Sequence, residues 1–199
     1  MIFLITTDYG KKMKRKTGFT YNIDIPSFTF GDKPKKKVSV RKTERFHKQK
    51  KKINKTIIKK MDKHEIIYGA RALNKRFPSF LDTPTQDYDI YTPYPKRDAN
   101  ETEKALDKKF GGNFFHVTKG QCPRTWRVRG QVNNEVYADY TKPEEKIPYD
   151  MIDGRKYVTL EHTKKHIIKT LDDPTSEYRH AKDRDALNRI KIFERRKRR

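Results

Sequence analysis

Between residues 62 and 195 the apolar positions change their period several times, and each change marks an element. His64–Tyr68 is a short, mostly apolar run that predicts a strand, and Gly69-Ala70 ends it. Over Arg71–Phe77 the spacing becomes helical, with Ala72, Leu73 and Phe77 available for one face. Residues Pro78 to Pro84 read as a loop. Asp87–Thr92 alternates and is rich in β-formers, which predicts a strand closed by Pro93 and Pro95. Asp98–Phe110 has the helical period and a glycine stop at Gly111-Gly112. Phe114–Thr118, Thr125–Arg129 and Glu135–Thr141 then read as strands, the last two joined by a turn around Val132-Asn133-Asn134. Tyr157–Thr170 opens apolar and continues as a helix. Beyond Pro174 a last helix, Tyr178–Arg195, carries Ala186, Leu187, Ile190 and Phe193 three or four apart.

The predicted order is β-α-β-α-β-β-β followed by two helices. That pattern implies an α+β domain, a small mixed β-sheet with helices packed on one face and further helices at the C-terminus. Residues 1–60 have a different texture and read as a basic, partly extended arm. Phe19–Ile25 alternates like a strand, while Lys11–Lys16, Lys35-Lys36-Lys37 and Lys48–Lys52 are basic runs. The expected division is an arm over 1–60, a domain over 61–195 and a basic tail over 196–199.

Composition sharpens this division. The 199 residues carry a net charge of +23, with 33% apolar and 38% charged residues. Residues 1–60 hold 19 Lys/Arg against 4 Asp/Glu, and residues 191–199 hold 6 against 1. The middle is nearly balanced, at 24 against 21. Such blocks are either solvated tails or polyanion contacts, nucleic acid being the commonest polyanion. The candidate nucleic-acid contacts are Lys35, Lys36, Lys37, Lys50, Lys51, Lys52, Arg195 and Arg196. The lone Cys122 rules out an intrachain disulfide and a multi-cysteine zinc site. An intracellular or virion-associated setting is expected, rather than secretion. The apolar Met1–Ile5 run falls far short of the ~18 residues of a membrane span. His162 and His166 are four apart but have no acidic third ligand at the matching turn, so they read as surface residues.

The chemistry-bearing stretch is Thr85-Gln86-Asp87-Tyr88-Asp89-Ile90-Tyr91. On a strand, Asp87 and Asp89 share one face while Tyr88 and Ile90 enter the opposite layer. Two adjacent carboxylates repel unless a cation lies between them, and Mg²⁺ or Mn²⁺ suits such oxygen donors. The alternative is a pair of acids on a surface strand. Asp139 lies among apolar and aromatic neighbours in Val136-Tyr137-Ala138-Asp139-Tyr140-Thr141, where an acid is costly unless paired or metal-bound. Gly69, between a strand and a helix, suits close approach of an anion to backbone N–H groups.

In these residues the chain resembles the nucleotidyltransferase superfamily, which includes DNA polymerase β, poly(A) polymerases and minimal nucleotidyltransferases. The matching pattern is Tyr68-Gly69-Ala70-Arg71-Ala72-Leu73, then Asp87-Tyr88-Asp89, then Asp139. The stretch looks most similar to the AbiEii-type branch, whose R-x-x-K-D helix is matched by Arg179-His180-Ala181-Lys182-Asp183. It departs from the pattern at Ala70, where Ser or Gly is usual, and at Asp185, one position early.

The resemblance implies a metal-dependent nucleotidyltransferase that moves a nucleoside monophosphate from a nucleoside triphosphate to a nucleic-acid or other hydroxyl acceptor. Asp87, Asp89 and Asp139 would be the catalytic, metal-binding set with Mg²⁺ or Mn²⁺. Gly69, Ala70, Arg71 and Lys182 would line the nucleotide, and Arg127 and Arg129 are further candidates for the leaving group. The alternative is a catalytically idle protein on the same fold, a nucleic-acid-binding or structural component of a viral particle or ribonucleoprotein.

Overall fold

The structure is a computed structural model that describes residues 49–198. The alternating segment Phe19–Ile25, the run Lys35-Lys36-Lys37 and Arg199 lie outside the described residues. The elements run α1 (Lys50–Lys60), β1 (Ile66–Tyr68), α2 (Gly69–Asn74), β2 (Tyr88–Tyr91), α3 (Pro95–Phe110), β3 (Phe115–Lys119), β4 (Thr125–Gly130) and β5 (Val136–Thr141). They continue with β6 (Tyr149–Ile152), β7 (Arg155–Val158), α4 (Leu160–Leu171) and α5 (Glu177–Lys197), with 3-10 turns at Ser79–Leu81 and Pro174–Ser176. The seven strands form one mixed sheet in the order β3-β4-β5-β2-β1-β7-β6. β2 pairs parallel with β5, and β1 parallel with β7; the other neighbours are antiparallel.

The α+β class read from the sequence is the observed one, with two additions. The stretch Lys50–Lys60, expected within an extended arm, is a helix. Ile53 and Ile57, four apart, are fully buried, and α1 packs along α3. Burying two isoleucines yields roughly 1.5–3 kcal/mol each, enough to hold a lysine-rich helix in place. Lys52 lies over the Phe110 ring and Lys60 pairs with Glu101 at 2.8 Å, so the two helices run antiparallel. The second addition is the β6–β7 hairpin, where the sequence predicted only an apolar lead into a helix. Its turn, Asp153-Gly154, has positive φ at both residues, 49° and 72°, as a tight two-residue hairpin turn requires.

The main core lies between the sheet and the α1–α3 pair. Tyr88 and Ile90 of β2, Val128 of β4, and Ala138 and Tyr140 of β5 meet Ala99, Leu106 and Phe110 of α3 there. A second cluster joins α4 and α5 to α2, through Leu73, Phe77, Leu81, Ile167, Ala186 and Ile190. Lys164 ties α4 to Glu194 of α5 at 2.9 Å. α3 starts with a proline and ends on Gly111 in the left-handed conformation, φ 74°, which closes a helix without steric cost.

Candidate active site

With Tyr88 and Ile90 turned into the core, the alternation of β2 places Asp89 and Tyr91 on the opposite face. Register then decides what surrounds Asp89. It lies opposite Tyr68 of β1 on one side and Asp139 of β5 on the other. Asp139 in turn lies opposite Arg127 of β4. Asp87 stands at the approach to β2, two positions before Asp89. One sheet face therefore presents acids from two neighbouring strands, with Tyr68 and Tyr91 stacked beside them at 3.9 Å. The Tyr68 hydroxyl bonds Thr141 Oγ1 at 3.1 Å.

The three acids act on one another. Burial, then the Asp87 and Asp139 charges, push the Asp89 carboxyl up to about 7, partly offset by Lys182 and Arg179. Burial also raises Asp139, against the pull of Arg127, whose Nε donates to Asp139 Oδ2 at 3.1 Å. Asp139 Oδ1 is buried without a hydrogen-bond partner. The Thr85 hydroxyl donates to Asp87 Oδ1 at 3.4 Å. The chemistry of this set suits a divalent cation, although the three acids do not bring three ligand atoms within 4.8 Å of one another. The donors are hard oxygens, one has no partner, and burial with mutual repulsion disfavours the charged forms that a cation would stabilise.

Gly69 is bound to this geometry. Its φ is +67°, and a Cβ built on it would collide with the Asp89 carboxylate. Only glycine lets the strand-to-helix turn close over that acid. Ala70 follows in the first turn of α2. Arg71 does not join the acids. Its Nε donates to the Asp87 carbonyl at 2.5 Å, a second nitrogen donates to the Gln86 carbonyl at 3.4 Å, and the guanidinium lies 3.6 Å over Tyr88. Arg71 therefore fixes the backbone that delivers Asp87. Lys182, on α5, is exposed and close enough to act on Asp89, and the half-buried Arg179 one turn earlier acts on it too. Asp185, the early acid, pairs with Arg189 at 3.0 Å.

Arg129 donates to the Asn134 carbonyl at 2.9 Å, in the turn between β4 and β5. Lys50 is held 2.5 Å from Glu135 and 3.0 Å from Gln86, whereas Lys51 and Lys52 are exposed. Arg195 and Arg196 are exposed near the end of α5, with Arg196 over the Phe80 ring at 4.2 Å.

One cluster has no counterpart in the sequence reading. His64, Glu65 and Asp98 bring their ligand atoms within 4.8 Å of one another, the only such trio among the described residues. Asp98 is already engaged by Thr92, by Arg97 at 2.8 Å and by His64 at 3.2 Å. Despite its burial, those bonds hold it below the usual carboxylate range. Asp98 lies in the first turn of α3 and His64 just before β1, so only tertiary packing brings them together. Among the described residues His162 and His166 belong to no such trio, although the Asp183 charge acts on His166.

No protein-family model matches the sequence, and no curated protein matches it. Among solved structures, the crystal structure of the Megavirus polyadenylate synthase is similar, with a TM-score of 0.59 and 24% identity over 72% of this chain. JHP933 from Helicobacter pylori aligns over 76% of this chain, with a TM-score of 0.45 and 15% identity. The match spans 31% of the Megavirus protein and 66% of JHP933. The chain has the nucleotidyltransferase fold.

Proposed function

We propose that this protein is a metal-dependent nucleotidyltransferase that transfers a nucleoside monophosphate from a nucleoside triphosphate to a hydroxyl of a nucleic acid. The observation that carries the reading is the register of Asp89 against Asp139, with Asp87 two positions away and Gly69 closed against Asp89. Asp87 and Asp89 would hold Mg²⁺ or Mn²⁺. Asp139 completes the set, and Arg127 keeps its carboxylate aimed at the site. The bound cation supplies Lewis-acid stabilisation of the phosphoryl oxygens. Gly69 and Ala70 bring backbone N–H groups to the phosphates, and Lys182, with Arg179, offsets their charge from α5. A polynucleotide acceptor fits the basic termini and the polyadenylate synthase among the structural relatives.

Incubation with each α-³²P-labelled nucleoside triphosphate, Mg²⁺ or Mn²⁺ and RNA is expected to label the RNA, and Asp89→Asn to lower the rate by at least about 100-fold. Undiminished transfer by that variant would sink the assignment. The second reading is an idle fold retained for binding. The Arg127–Asp139 ion pair at 3.1 Å, which engages one Asp139 oxygen within the protein, favours it. It is preferred if wild type labels no acceptor with either metal.

A further inference from the structure

The surface that the sheet turns away from the acids is unusually uniform. Every exposed residue of α1 is a lysine: Lys51, Lys52, Lys55 and Lys59. The exposed residues of α3 are Lys96, Arg97, Lys104, Lys108 and Lys109. The acids of these helices are buried or engaged within the protein. Asp98 and Glu103 are buried, Glu101 pairs with Lys60, and Asp107 accepts the backbone N–H groups of Phe114 and Phe115. Solvated helices ordinarily interleave both signs, which supports i,i+4 pairs and limits self-repulsion. α5 does so, exposing Glu177 and Asp185 among its basic residues.

From this we infer that the α1–α3 face is a docking surface for a polynucleotide phosphate backbone, separate from the acidic site on the other side of the sheet. Two antiparallel helices make a strip about 20 Å long and 8–10 Å between axes, long enough to meet several successive phosphates. Because none of the exposed residues is apolar, the face offers nothing to insert among acyl chains, as an interfacial helix does. Nor does it offer the aromatic centre of a protein interface. Long ammonium side chains on a rigid base contact phosphates without reading bases, so the binding is independent of sequence. The inference stands apart from the transfer chemistry: Asp87→Ala alters nucleotide binding and leaves this face intact.

The test is fluorescence anisotropy of the full chain with a 5′-labelled, mixed-sequence 20-nucleotide RNA across a salt series. Lys55→Gln/Lys104→Gln/Lys108→Gln removes three contacts from the face, and Lys146→Gln/Arg184→Gln/Lys191→Gln removes the same charge elsewhere. Each lost contact lowers the salt slope by about 0.7, so the first variant loses about 100-fold in affinity at 0.1 M salt relative to wild type. The second loses less than about threefold, and both keep the wild-type melting temperature and nucleoside-triphosphate binding. Equal loss in both variants, or none in the first, overturns the proposal. It is also overturned if the first variant loses binding to phosphatidylserine vesicles while keeping its RNA affinity.

Discussion

Gly69 and Glu65 carry the sharpest consequences at the scale of single residues. Gly69→Ala places a Cβ against the Asp89 carboxylate and forces a left-handed backbone on alanine. The strain costs about 1–3 kcal/mol, and the displaced carboxylate should abolish Mg²⁺-dependent nucleotide binding. Urea unfolding and nucleotide titration of the variant check both effects; a variant that binds nucleotide like wild type would separate Gly69 from the site. Glu65 is buried, and burial, against a hydrogen bond from the Asp62 backbone, pushes its carboxyl from 4.5 to about 7. Since the folded value lies above the unfolded one, the native state holds the proton more tightly. That contribution is fully present below about pH 4.5 and is lost as pH rises through about 7. Glu65→Gln should therefore gain stability relative to wild type between pH 5 and 8, by up to about 3 kcal/mol. Asp89 titrates in the same window in both proteins and cancels in the difference. Unfolding curves at pH 5, 6, 7 and 8 test this, and a pH-independent difference would contradict it.

At the scale of elements, the strands around the acids were legible because their alternation is strong and their boundaries are marked by Gly69, Pro93 and the turn around Asn133-Asn134. α3 was legible through its period and its glycine stop. Two elements were not read. In α1 the lysines dominate the local pattern, and Ile53 and Ile57 acquire meaning only against the α3 they cover. In β6–β7 the exposed strand Tyr149–Ile152 has little apolar pattern, and the Asp153-Gly154 pair carried the hairpin signal alone. Of the candidate site, Asp87, Asp89, Asp139 and Gly69 came from motif and spacing. Arg71 came with the same motif as a residue lining the nucleotide, but its bonds to the carbonyls of Gln86 and Asp87 could not be read there, because sequence cannot place those carbonyls beside it. Likewise, the packing of α4 and α5 onto α2 is what sets Lys182 near Asp89. The element-scale prediction concerns α1. Ile57→Ala should cost about 2–5 kcal/mol of stability, whereas Lys51→Ala should cost almost nothing. Equal, small effects in denaturant melts would place α1 outside the cooperative fold.

For the whole molecule, charge and chemistry are separated. The net charge of +23 lies mainly in residues 1–60 and 191–199, and the α1–α3 face extends it onto the folded domain. The carboxylates occupy the opposite side of the sheet. Salt should therefore weaken RNA binding steeply, while affinity for a nucleoside triphosphate, held by the acids with their cation, changes far less. Parallel titrations from 50 to 300 mM salt check this, and matching salt slopes would mean that nucleotide and RNA share one basic site. The measurement that tests the central claim most directly is Mg²⁺-dependent binding of a labelled nucleoside triphosphate to wild type and to Asp87→Ala. Wild type should bind saturably, EDTA should abolish that binding, and the variant should lack it. Binding that is equal in the two proteins, or absent from both, would contradict it.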